Sequence, residues 1–183
     1  MHLCDDAFLG FVEGKREVFE LMQGFNRIQL NLKFGDVKGR FDEGELVARV
    51  KEAPRWQFIL QYAKGNEHLL PKFVDVPNHA VLFDESAGRG ELPEGWQAPI
   101  AGHFCGYAGG LNPANVGQNL EIISKVAPNY TTWIDMETGV RDVEKEGDKI
   151  IRDEFNLDKV RSVLATAQPY VVSAPANTLV AKR

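Results

Sequence analysis

Cysteine is scarce in this chain, with only Cys4 and Cys105 among 183 residues. Neither stands in a C-x-x-C, and no His/Cys cluster has zinc-ligand spacing. Both read as reduced thiols, and the expected compartment is cytoplasmic. A long basic run is also missing, and the formal net charge is −5. Phosphate backbones demand clustered Lys and Arg, so nucleic acid is not an expected partner. A small anionic ligand needs only local donors and stays open. No apolar run approaches the roughly 18 residues of a membrane span, so no membrane partner is expected. The start of the chain lacks a basic, then apolar, then small-residue signal pattern. There is no internal repeat and no low-complexity tract. His2, His68, His79 and His103 show no paired spacing.

What is present is alternation. A chain of this length suits one domain over residues 1–183 and can bury a real core. Six short apolar runs read as strands: His2–Cys4, Arg27–Phe34, Gln57–Tyr62, Ala80–Asp84, His103–Ala108 and Thr132–Glu137. Helical faces lie between most of them. They are marked by Val18, Leu21, Met22 and Phe25, by Leu46, Val47 and Val50, and by Leu69, Leu70 and Phe73. Val116, Leu120, Ile123 and Val126 mark a fourth, and Leu157, Val160, Val163 and Leu164 a last. Strands alternating with helices imply right-handed crossovers and a parallel sheet. Polar residues gather at the strand ends: Gln29 and Asn31, Gln61, Asp84 and Ser86, Asp135 and Glu137. A doubly wound sheet concentrates its ligand at one switch point, whereas a barrel mouth draws on many strand ends. The expected fold is therefore α/β, a TIM (β/α)8-type barrel, incomplete in this chain. Residues 87–100 form a Gly/Pro-rich loop of the kind that serves as a lid or binding loop. Glu144 to Glu154 alternates in charge and reads as a solvated face. Tyr170-Val171-Val172 could be another strand.

The strand count falls short. A typical barrel takes about 250 residues, with roughly 200 a lower limit. Six strands leave two units unaccounted for, and an open sheet would expose two edges. The favoured expectation is that residues precede Met1 in the native protein. Closure by a second copy, as a homodimer, comes next, and cover from the terminal segments is the third option.

The most informative stretch is Ala108-Gly109-Gly110-Leu111-Asn112-Pro113-Ala114-Asn115-Val116. Two glycines after a strand allow a sharp turn and close approach of a ligand. Asn112 suits a helix N-cap and Pro113 the first helical position. Strand, glycine turn and helix N-terminus together favour an anion, with phosphate the expected one.

The run Leu82-Phe83-Asp84-Glu85-Ser86, Gly88-Arg89-Gly90, Trp96, the Ala108–Val116 turn, and Ile134-Asp135-Met136-Glu137-Thr138-Gly139-Val140 resembles phosphoribosylanthranilate isomerases in order and spacing. The resemblance covers roughly residues 80–165. It implies a (β/α)8 barrel of tryptophan biosynthesis acting on a small phosphorylated sugar. The reaction is an Amadori rearrangement of an aminoaldose to an aminoketose, an intramolecular aldose–ketose isomerisation. Proton transfer alone suffices for that chemistry, so no metal and no organic cofactor is implied.

By the same resemblance Asp84 is the general acid, a role that burial beside Leu82 and Phe83 favours by disfavouring the charged form. Its other reading is a carboxylate capping the following loop. Cys4 is the candidate base, although Asp5 and Asp6 beside it oppose a thiolate. The spacing from Cys4 to Asp84 is about two βα units shorter than the family's, and a buried structural cysteine is the alternative. Gly109, Gly110, Thr138 and Gly139 match the phosphate turns. Arg89 and Arg141 depart from the family pattern, and each adds a cation that could meet an anionic ligand. Glu137 is also unusual, because a carboxylate there would repel phosphate. The alternatives are a non-catalytic phosphosugar-binding paralogue and an isomerase of another sugar phosphate.

Overall fold

The computed structural model describes residues 1–32, 39–63, 65–84 and 90–172. Its elements run β1 (His2–Leu3), α1 (Asp5–Glu13), α2 (Arg16–Leu21), β2 (Arg27–Leu30), α3 (Glu43–Glu52), β3 (Gln57–Tyr62), a 3-10 helix (Glu67–Phe73) and β4 (His79–Phe83). They continue with β5 (Phe104–Tyr107), α4 (Val116–Val126), β6 (Trp133–Ile134), β7 (Arg141–Glu146), β8 (Lys149–Phe155) and α5 (Leu157–Ala167).

Six strands form one sheet in the order β1-β2-β3-β4-β5-β6, every neighbouring pair parallel. The chain is thus an α/β fold in which parallel strands alternate with helices. Each of the six strands falls on one of the apolar runs, mostly as a shorter stretch of it; Lys33 and Phe34 of the second run, and Ser86 after the fourth, lie outside the described residues. Within the described residues β1 and β6 are the two edges of the sheet. No helix among these residues is long and apolar enough to cross a membrane.

The two faces of the sheet differ because side chains alternate along a strand. Ile28, Leu30, Phe58, Leu60, Val81 and Tyr107 point to the outer face and are buried in the main core. The helices meet them there through Phe8, Phe11, Leu46 and Val50. The inner face carries a smaller apolar cluster of Ile59, Ala80, Leu82 and Ala108, flanked by Phe104 and Trp133. The sheet curls toward this inner face. In a flat sheet β2 and β6 would stand about 19 Å apart. Yet the Arg27 guanidinium of β2 lies 4.4 Å from the ring centre of Trp133 on β6.

Several local expectations need correction. Helix α1 was not anticipated, because Ala7 to Val12 is nearly all apolar and shows no helical stripe. It is buried on several sides and ends at Gly14, whose φ of 78° suits a left-handed cap. Helix α2 buries only Val18, with Met22 as its C-cap, and leaves Leu21 and Phe25 exposed. Tyr170-Val171-Val172 is not a strand: Gln168–Tyr170 is a 3-10 turn. Pro169 lacks an N–H and has a fixed φ, which favours the first turn of a helix over a ladder. The charged stretch Glu144 to Glu154 is exposed as expected, but it forms most of an antiparallel hairpin, β7 with β8. The hairpin's charges pair internally, Arg152 with Glu144 at 3.0 Å and with Glu154 at 2.8 Å.

The loop after β4 is described from Gly90 onward. It is strapped down rather than free. Tyr107 donates its hydroxyl to the Gln97 carbonyl at 2.8 Å, and Trp96 Nε1 donates to Asn119 Oδ1 at 2.9 Å. Trp96 packs edge-on against Tyr107 and so belongs to the core.

Candidate functional site

The C-terminal ends of the six strands surround a cavity of about 240 Å³. Its walls include His2 after Met1, Gln29 and Asn31 from β2 and its end, Gln61 from β3 and Asp84 just past β4. The turn after β5 supplies Gly109 and Gly110, and the segment after β6 supplies Asp135 to Gly139. Parallel strands that curl bring all their C-terminal ends to one side, which is why residues 130 positions apart share one wall. No Lys or Arg among the described residues lines this cavity, whereas Asp84, Asp135 and Glu137 do.

Asp84 is only 5% exposed. Its backbone continues the ladder, with its N–H donating to the Tyr62 carbonyl at 3.0 Å. Gln61 Nε2 donates to its carboxylate. A Cβ built on Gly109 would come 3.4 Å from Asp84 Oδ1, so carboxylate and glycine turn are immediate neighbours.

Both glycines of that turn have left-handed backbones, with φ of 111° at Gly109 and 61° at Gly110. The loop segment at residues 90–92 also crowds them. A side chain at Gly110 would approach the Leu92 amide nitrogen to 2.6 Å. Gly139 is required for a different reason, since a Cβ there would coincide with the Leu111 carbonyl oxygen. The turns after β5 and β6 therefore touch backbone to backbone. Within the described residues the amides of Gly109 and Gly110 donate no hydrogen bond. Free amides in a glycine turn are a concave set of donors suited to an anion.

The helix after this turn begins later than Pro113. Asn112 Oδ1 accepts from Ala114 N at 2.8 Å, and Asn115 Oδ1 accepts from Asn112 N at 2.9 Å. This reciprocally bonded turn precedes α4, which starts at Val116.

The remaining residues expected from sequence are placed as follows. Cys4 is exposed, not a buried structural thiol, and it caps the start of α1. It does not line the cavity, but Asn31, which does, donates to its sulfur at 3.3 Å. Thr138 and Gly139 line the cavity. Arg141 faces the hairpin instead, bonding Asp153 Oδ1 at 2.5 Å. Arg89 lies outside the described residues.

Two cavity residues were not foreseen as functional. His2 lines the wall and has its Nδ1 3.4 Å from Asn31 Nδ2. Asp135 follows β6, with its N–H donating to the Tyr107 carbonyl at 2.9 Å. Burial raises its pKa above the ordinary carboxylate value. His2 and Arg27 pull it back down, while Glu137 and Asp84 push it up. The signal for Asp135 was present in the sequence as a polar residue at a strand end. Its coupling to His2 was invisible, because the two lie at opposite ends of the sheet order.

The described residues include no group of three or more His, Cys, Asp or Glu placed to hold a metal ion. The cavity brings the Gly109 and Gly110 amides together with the carboxyl groups of Asp84, Asp135 and Glu137. Comparison with family models, with curated proteins and with solved structures finds no match for this chain.

Proposed function

We propose that this chain is an aldose–ketose isomerase of the phosphoribosylanthranilate type, acting on a small phosphorylated sugar. The observation that carries this is the juxtaposition of Asp84 with the Gly109–Gly110 turn. A buried carboxyl group and a glycine turn with open amides line one wall of one cavity, which supports a general acid beside an anion seat. The phosphate would rest on the Gly109 and Gly110 amides, with the Thr138 hydroxyl beside it. Asp84 would then protonate the ring oxygen as the sugar opens, and a base would take the C2 proton. Cys4 is the base of this scheme, oriented by the hydrogen bond from Asn31. Asp135 faces the same space and can share the proton traffic.

A second reading, a non-catalytic phosphosugar-binding protein, is favoured by one feature. Cys4 stands outside the cavity lining while the glycine turns stand within it. A fluorescence assay with phosphoribosylanthranilate separates the two. The isomerase should turn over, and Asp84→Asn should lower kcat by about 10²–10⁴-fold, the usual worth of a general acid. Undiminished turnover in Asp84→Asn removes that residue from the acid role. Binding of a phosphosugar analogue without turnover, in the wild-type chain and in Cys4→Ser alike, selects the second reading.

A further inference from the structure

Beneath the cavity, on the inner face of the sheet, lies a cation that the proposed reaction does not use. Arg27 begins β2, two residues before Gln29 on the same face. Its Nε donates to Gln57 Oε1 at 2.7 Å, across the register that pairs these two residues. The guanidinium lies 4.4 Å from the Trp133 ring centre and 5.4 Å from that of Phe104. Those two rings pack together with centroids 4.5 Å apart. Gly106 makes the arrangement sterically possible, because a Cβ there would fall inside the Trp133 indole. Arg27 Nη2 is fully buried and has no hydrogen-bond partner. Leaving a charged donor buried and unpaired is costly, and structures retain such groups where another role compensates.

The carboxyl group whose charge acts on Arg27 is that of Asp135, on the same inner face. It stands two residues beyond Trp133, about 7 Å along the strand. The ladder bond from Asp135 N to Tyr107 O keeps it in strand alternation, so its side chain shares the inner face with Trp133. We infer that Arg27 is a positioning residue for this site, an aromatic-clamped internal cation that balances the charge of Asp135 from below. Its part in acid–base chemistry rests on the isomerase reading, but its pairing with Asp135 does not.

Four charged or titratable groups act on Asp135. His2 reaches it from β1 and Arg27 from β2, and both favour the carboxylate. Asp84 beyond β4 and Glu137 on its own segment favour the protonated acid. Removing Arg27 tips that balance one way, so Asp135 should hold its proton to higher pH. A lysine at this position keeps the charge but loses the planar stack and the Gln57 bond.

The test is carboxyl carbon NMR titration of Asp135 in the intact chain, wild type beside Arg27→Met and Arg27→Lys. Arg27→Met should move the Asp135 midpoint to higher pH, and Arg27→Lys should restore it in part. A midpoint in Arg27→Met identical to wild type overturns the inference. Should Arg27→Met not fold, the wild-type protein decides. The Arg27 guanidinium nitrogen shifts should follow Asp135 ionisation, and Asp135→Asn should abolish that titration. Nitrogen shifts that ignore Asp135 overturn the inference equally. Phosphoribosylanthranilate turnover is scored separately: a coupled pair in a chain without turnover sinks the isomerase reading alone.

Discussion

The two faces of the parallel sheet are built on opposite terms. The outer face is dry, lined by Ile28, Leu30, Phe58 and Leu60, each fully buried under helices. The inner face mixes a small apolar cluster with Arg27, Gln29, Gln57, Gln61 and Asp84. Outer residues are held by burial, which is non-directional and tolerant of detail. Inner residues are held by hydrogen bonds and ring contacts, which demand specific partners. Stability therefore belongs mostly to the outer face, and the polar groups of the candidate site mostly to the inner one.

That division can be broken most directly at Phe58. It packs on Phe11 with ring centroids 4.9 Å apart and is fully buried. Phe58→Ala should cost about 3–5 kcal/mol by lost transfer energy and a cavity. Urea unfolding would measure it, and a cost below about 1 kcal/mol would show that the outer face is not the main support.

Gly106 tests the inner face. Gly106→Ala must displace the Trp133 indole, and overpacking of this kind typically costs about 1–3 kcal/mol. Because the indole is the shelf for Arg27, the same variant should also move the Asp135 titration upward in pH. Unchanged Trp133 fluorescence would argue against the close stack.

The smallest effect is a pH dependence on the outer face. His79 is buried against Phe73, and its Nε2 shares a hydrogen bond with the Tyr62 hydroxyl at 3.2 Å. Burial first, and then nearby His103, push its pKa down to about 3. The unfolded chain binds this proton near the ordinary value of about 6.5, whereas the native chain does not until far lower pH. The stabilisation from a neutral His79 is thus fully present above 6.5 and is lost as pH falls from there toward 3. On the order of 1–2 kcal/mol should disappear between pH 7 and pH 5. Comparing denaturation midpoints of wild type and His79→Leu at the two pH values would check the slope. Equal slopes would remove His79 as the cause.

The contrast between the faces also explains what could be read in advance. The central strands announce themselves, because Phe58-Ile59-Leu60 or Ala80-Val81-Leu82 is apolar toward both faces. Helix α4 was legible from Val116, Leu120, Ile123 and Val126 at helical spacing, the first three buried and Val126 half-buried. Helix α1 was not, since Ala7 to Val12 is buried on too many sides to leave a stripe. In the cavity, Asp84 and the Gly109–Gly110 turn could each be found because a carboxylate or a glycine pair stands out at the end of an apolar run, but their meeting across two strands was not legible. Arg141 misled because an arginine beside a phosphate-type turn looks available. Its charge is in fact taken up by Asp153, a partner 12 residues on across a hairpin.

Local chemistry determined by itself where the six strands of the parallel sheet and helix α4 lie, because apolar period, glycine and capping residues act within a few positions of the chain. It also determined that Gly109 and Gly110 let the chain turn sharply after β5, whereas the crowding over them by residues 90–92 came from the fold. The curl of the sheet was decided only by the tertiary fold. Curl brings Trp133 under Arg27 and sets Asp135 among the charges of His2, Asp84 and Glu137. Such couplings depend on distance through space and on desolvation, and neither is encoded in the order of residues along one strand.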